Sequence, residues 1–237
     1  MIRHLIALII GMILGAAAAT ALLFYNPLAA RNPLSPLSVS DQEIVSLVYS
    51  AVAADAIVYT NDGESRVHPH PAKVQQLWEA PIRRTDVFVT VLSDSRKNPA
   101  GIGIKFMSDS EQTRIINGEA LVDSTWHILL PGRGSLFISQ TENHWNFLRQ
   151  IVVPAYWSSG DSWKGSWHGN TTVGPGALGT ARVRGGYGMF SDLDSEAVEA
   201  ITAHAYSVAA GPVAMEGRLT IEIASRAESQ AAGVVAE

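Results

Sequence analysis

Alternation of apolar and polar residues dominates the second half of the chain, and an unbroken apolar run opens it. The run begins at Leu5, ends at Phe24 and holds twenty residues without a charge. That is about the length a helix needs to cross the hydrocarbon core of a bilayer. Arg3 and His4 precede it, and Tyr25, Asn26 and Pro27 close it at the expected interface. Positive charge stays inside, so the N-terminus is expected in the cytoplasm and the main domain outside it, in the periplasm or its equivalent; Arg31 reduces that asymmetry. A cleaved signal peptide is the competing reading, with a cleavage site at Leu28-Ala29-Ala30, but its apolar region would be shorter. An uncleaved, single-pass anchor is the expectation. Gly11 and Gly15 form a small-xxx-small pair within it, which is common in such helices.

Pro27, Pro33 and Pro36 then stiffen a spacer. Ser40 and Glu43 are spaced as a capping box, and Ile44, Leu47, Val48 and Ala51 follow at helical intervals, which predicts a helix of about three turns. Asn61-Asp62-Gly63 marks a turn. His68 and His70 flank Pro69 and would point to one side of an extended segment. They could supply half of a zinc site, but no third ligand stands near them, and a proline-stiffened loop leading to a short helix at Pro71 explains them better.

From Asp86 the period changes to two. Val87, Val89 and Val91 alternate with Phe88, Thr90 and Leu92, apolar on both sides, as for a strand covered on both faces. Further strands are expected over 102–107, 115–122, 124–130 and 135–139, with Pro131-Gly132-Arg133-Gly134 as a turn. Residues 151–154 read as an edge strand or a loop, because Pro154 removes a ladder donor. Trp163, Gly165, Trp167 and Gly169 share one face of the next strand, with His168 on the other, and the pattern suits the bend of a curved sheet. The last strand is the clearest, with Met215, Gly217, Leu219, Ile221 and Ile223 inward and Glu216, Arg218, Thr220 and Glu222 outward. Strands at roughly ten-residue spacing with Gly-rich turns predict an all-β sandwich or barrel.

The stretch Arg184-Gly185-Gly186-Tyr187-Gly188-Met189-Phe190, followed by Met215-Glu216-Gly217-Arg218-Leu219, resembles the allene oxide cyclase and dirigent family, over residues 163–223 only. The resemblance implies an antiparallel β-barrel of about eight strands with an apolar interior. It implies no catalytic residue at a matched position. Residues 194–208 carry helix formers with Val198, Ile201, Ala205 and Val208 at helical spacing. Propensity thus favours a helix there and the resemblance a strand; the strand is the working expectation. The division expected is an anchor (1–30), a Pro-rich linker with short helices (31–85), a barrel (86–223) and a tail (224–237).

Composition narrows the function without naming it. The net charge of -5 is spread along 237 residues, which leaves no basic stripe for nucleic acid. There is no cysteine, hence no thiolate nucleophile or cysteine metal site, and no cofactor motif is present. Glu142 and His144, with His168 further on, are the candidates for acid–base work; Trp145, Trp163, Trp167 and Phe190 are candidates to line a ligand cavity. Two functions follow. One is a non-catalytic, membrane-anchored barrel that binds an apolar small molecule or docks on a membrane-protein partner. The other is an isomerase or cyclase acting on a lipid-like polyene, by analogy with the resembled family. A wide interior cavity beside Glu142 or His168 would favour the enzyme, and a filled interior the binding protein.

Overall fold

The computed structural model describes residues 2–25, 43–52, 57–59 and 85–223. Helix α1 (Ile2–Tyr25) covers the apolar run, and its Arg3–Ala21 stretch is long and apolar enough to span a membrane. Eleven strands follow: β1 (Glu43–Ser50), β2 (Ile57–Tyr59), β3 (Thr85–Ser93), β4 (Pro99–Asp109), β5 (Leu121–Leu130), β6 (Gly134–Asn143), β7 (Ser162–Asn170), β8 (Thr172–Gly174), β9 (Ala181–Gly188), β10 (Asp194–Ser207) and β11 (Gly211–Ile223). Eight of them form an antiparallel ring in the order β1-β11-β10-β9-β6-β5-β4-β3, closed where Val48 of β1 pairs with Ser93 of β3. The short strands β2 and β8 and the longer β7 lie off the ring, on β3, β6 and β10.

Period-two patterning fills the ring. Phe88 and Leu92, Trp126 and Ile128, Leu136 and Ile138, and Leu219 and Ile221 point inward from four strands and form one buried cluster. Two glycines make room for rings among them. A Cβ on Gly217 would lie 2.0 Å from the Tyr49 ring, and one on Gly103 would lie 2.7 Å from Trp126. The rings so admitted meet edge to face, with Tyr49 and Trp126 centroids 4.9 Å apart.

Several expectations are corrected. The capping-box helix is strand β1 instead: Val45, Leu47 and Tyr49 also alternate, and eight ladder pairs with β11 outweigh the local helical spacing. Barrel structure therefore begins at Glu43 rather than at 86. The two strands expected over 115–130 are one. Ile115–Asn117 is a single 3-10 turn ended by Gly118 at φ 75, and β5 starts at Leu121. Residues 151–154 are helical, within a continuous segment built from Trp145–Phe147, a π turn at Leu148–Val152, and Val153–Trp157. The wider turn directly before Pro154 relieves the clash a proline makes with the carbonyl four residues back. Residues 194–207 are a strand, as expected from the resemblance and against propensity.

Candidate functional site

Three charged side chains meet inside the ring. Lys105 on β4, Glu142 on β6 and Glu199 on β10 are each almost or completely buried. Each occupies an inward position of its strand, and only ring closure brings them together. The Lys105 ammonium donates to both oxygens of Glu199, at 2.9 and 3.0 Å, and lies 2.7 Å from Glu142 Oε1. Neutral groups complete the shell. Tyr49, Gln140 and Trp126 donate to Glu199, the last at 3.0 Å; Ser124 and Gln140 donate to Glu142 Oε1. Thr172 on β8 locks the arrangement by donating to Gln140 Oε1 at 2.8 Å while accepting from the Glu199 backbone N–H at 2.8 Å. Lys105 also stands 5.4 Å from the centre of the Trp126 ring.

Burial works against each charge, and the partners decide the outcome. Desolvation pushes the Lys105 ammonium down, but Glu142 and Glu199 outweigh it, and its pKa lies above the ordinary lysine value. Desolvation would raise Glu142, yet Lys105 and then His144 hold it well below the usual carboxylate range. Burial first, and Glu199 second, push the Tyr49 hydroxyl up, so it stays protonated and serves as a donor. Among the described residues, one ammonium faces both carboxyl groups. His144 Nε2 lies 3.2 Å from Glu142 Oε2, at ion-pair distance, but Oε2 has no aligned hydrogen bond. His144 is, after Lys105, the group that holds the Glu142 carboxyl low. Its side chain is 25% exposed, which makes it the cluster's contact with solvent.

A buried, mutually shifted acid–base set is the arrangement that proton-transfer sites use. A reacting molecule also needs room beside those groups. The concavities among the described residues include a groove of about 310 Å³ lined by Phe106 and Thr125 and, from the cluster's own shell, by Ser124 and Gln140, a hollow of about 370 Å³ at the β1–β3 seam, and a cleft of about 940 Å³ between α1 and the 145–157 segment. None is lined by Lys105, Glu142 or Glu199. The seam hollow reaches the wall of the cluster at Tyr49, which is 4% exposed.

Of the residues nominated from sequence, the structure brings Glu142 and His144 together and sets the others elsewhere. His168 is exposed on the outer face, 3.0 Å from Thr202 Oγ1. Trp163 and Trp167 fold their rings over the glycines two residues on, where a Cβ on Gly165 or Gly169 would come within 2.8 Å. Trp167 also packs against Phe147 and donates to Gln150 at 3.0 Å, so this face of β7 supports the helical segment. Trp145 is buried at the start of that segment, and Phe190 is part of the apolar core. His68 and His70 lie outside the described residues; among those described, no three His, Cys, Asp or Glu side chains gather as a metal site. Lys105, Glu199 and Tyr49 were missed. Their one signal is a polar group at an inward position between apolar or glycine neighbours, as at Gly103-Ile104-Lys105 and Ala197-Val198-Glu199.

The outer wall has two unlike halves. Cross-strand partners share a face, so Val91, Ile102 and Leu129 form one row across β3, β4 and β5. Val89, Ile104, His127 and Phe137 form the next, with the last two rings stacked at 4.5 Å. Val91, Ile102, Phe106, Leu129 and Phe137 are all exposed. On β9 and β10, by contrast, Arg184 faces Asp194 and Arg182 faces Glu196, a solvated charged surface.

No family model matches the chain, and no curated protein does. Among solved structures it is similar to the Diels–Alderase AbmU from Streptomyces koyangensis, at 7% identity over 82% of this chain and 79% of that one, with a TM-score of 0.37. It is also similar to a nonspecific heme-binding cyclase that catalyses a (4 + 2) cycloaddition during neoabyssomicin biosynthesis, at 8% identity over 91% and 87%, with a TM-score of 0.34. The likeness concerns the barrel fold alone. The eight-strand ring stands on its own strand pairing, and the chemistry must be argued from the residues.

Proposed function

We propose that this is a membrane-tethered, non-catalytic barrel that docks its outer β3–β6 wall on an apolar surface of a membrane-protein partner. The observation that carries the reading is the contrast between a filled interior and an apolar exterior. The inward aromatics and the Lys105–Glu142–Glu199 cluster fill the middle of the ring, whereas Ile102, Phe106 and Phe137 face outward uncovered by described residues. Exposed apolar patches of this continuity mark interaction sites. Native mass spectrometry of the detergent-purified full chain tests it. A stoichiometric partner should be present with the wild type and lost with Ile102→Ser and Phe137→Ser combined. A partner retained by that variant, or a bound lipid or polyene in its place, would remove the docking role from this wall.

The cluster itself favours a second reading, an isomerase or cyclase related to the allene oxide cyclase and dirigent family. Glu142 and His144 would then exchange protons with an apolar substrate admitted through the seam beside Tyr49. A polyene that co-purifies with Glu142→Gln but is converted by the wild type would establish it. Absence of any polyene from both would sink it.

A further inference from the structure

The helical segment 145–157 has an inner side and an outer side, and only the inner one is explained by the barrel. Trp145, Ile151 and Ala155 are buried against it. At the other side, Tyr156 is 60% and Trp157 74% exposed, adjacent at the end of the segment. Exposed aromatics with a polar edge are costly in water and favoured at the level of lipid headgroups. Charge points the same way. In a chain with 22 acidic residues, positions 143–160 contain none, and Arg149 is their one arginine or lysine. The third observation is position. Ala17, Thr20 and Ala21 of α1 line one cleft with Arg149, Val153 and Trp157. Those α1 residues stand roughly 5–10 Å short of the end of the apolar run, at the 1.5 Å rise of a helix. That is the depth, about 5–10 Å, at which interfacial helices settle their apolar faces.

We infer that the Tyr156–Trp157 end of this segment is a second membrane contact, seated in the headgroup–acyl boundary beside α1. The inference rests on α1 standing in a bilayer, which belongs to the function proposed above. It would hold the barrel against the membrane in one orientation instead of leaving it at the end of a tether.

The test uses the full chain reconstituted in phosphatidylcholine–phosphatidylglycerol vesicles that carry bromine near the acyl carbonyls. Tryptophan fluorescence should be quenched, and Trp157→Phe should lose most of that quenching while Trp163→Phe keeps it. Because the chain has no cysteine, Tyr156→Cys also accepts a single nitroxide, which should be more accessible to oxygen than to a water-soluble nickel chelate. Quenching retained in Trp157→Phe, or a nitroxide that favours the chelate, would overturn the contact. Failure of the wild type to float with the vesicles would overturn the tether instead, so the two failures are distinguishable.

Discussion

Lys105 decides whether the barrel interior is stable or frustrated. Among the described residues it is the one cation that touches both Glu142 and Glu199. Lys105→Met would remove the ammonium that joins Glu142 to Glu199, and removing one partner of a buried pair typically costs about 3–5 kcal/mol. Thermal or urea unfolding at neutral pH should register a loss of that size. The pH dependence should then invert. In the wild type the Glu142 pKa is depressed on folding, so its contribution is present above the ordinary carboxylate value of 4.5 and declines as pH falls below it. With the cation gone, the burial that opposes ionisation of Glu142 is no longer offset by Lys105, so Lys105→Met should gain stability on mild acidification. Parallel acid profiles for the two proteins would refute this account. The alkaline side follows the same logic with the opposite sign. The Lys105 and Tyr49 pKa values are raised on folding, so what they contribute is intact below about pH 10 and declines above it. Glu142 and His144 were legible as a pair because they are neighbours in sequence. Lys105 and Glu199 are 94 residues apart, and no local pattern joins them.

Elements with a single consistent period were readable, and those with two were not. β11 alternates from Gly217 to Ile221 and lies where alternation places it, although Glu222, expected outward, is buried and Val213 is exposed. β1 satisfies both a helical and a strand template over eight residues, and the partner strand, absent from any local window, makes the choice. The 145–157 segment fails for a different reason, since Pro154 argues against regular structure unless a π turn precedes it. Gly185–Gly188 read as a tight turn from their glycines, but they continue strand β9 against β6, and the chain turns only after Gly188, which takes a φ of 75. Gly185 is needed for another purpose. A Cβ there would fall 1.3 Å from the Phe190 carbonyl oxygen, a backbone atom that cannot rotate aside. Gly185→Ala should therefore push the returning chain off β9 and lift Phe190 from the core. Overpacking of this kind costs about 1–3 kcal/mol and sometimes more. An unchanged unfolding midpoint for Gly185→Ala would mean that the turn gives way freely, contrary to the packing described.

At the scale of the whole molecule, α1 and the barrel are expected to be energetically separate. The Arg3–Ala21 stretch is wholly outside the buried core, and the ring closes without it. Deleting residues 1–25 should leave the urea midpoint in detergent within error of the full chain, because nothing that fills the barrel is removed. Without detergent the outcome should differ. The β3–β6 wall would face water, and a continuous apolar surface beyond a few hundred Å² favours association. The truncated protein should therefore form oligomers that disperse on combining Phe106→Ser with Phe137→Ser, two exposed positions whose loss leaves the interior intact. Sedimentation velocity separates the cases. Monomers from the truncated parent would show that the wall is not an adhesive surface, and the docking role would then have to move to another face. Oligomers that survive both substitutions would place the contact outside β4 and β6. Oligomers that disperse would show that the amphipathic division of the barrel, apolar on β3–β6 and charged on β9–β10, makes the β3–β6 wall adhesive, as the proposed docking role requires.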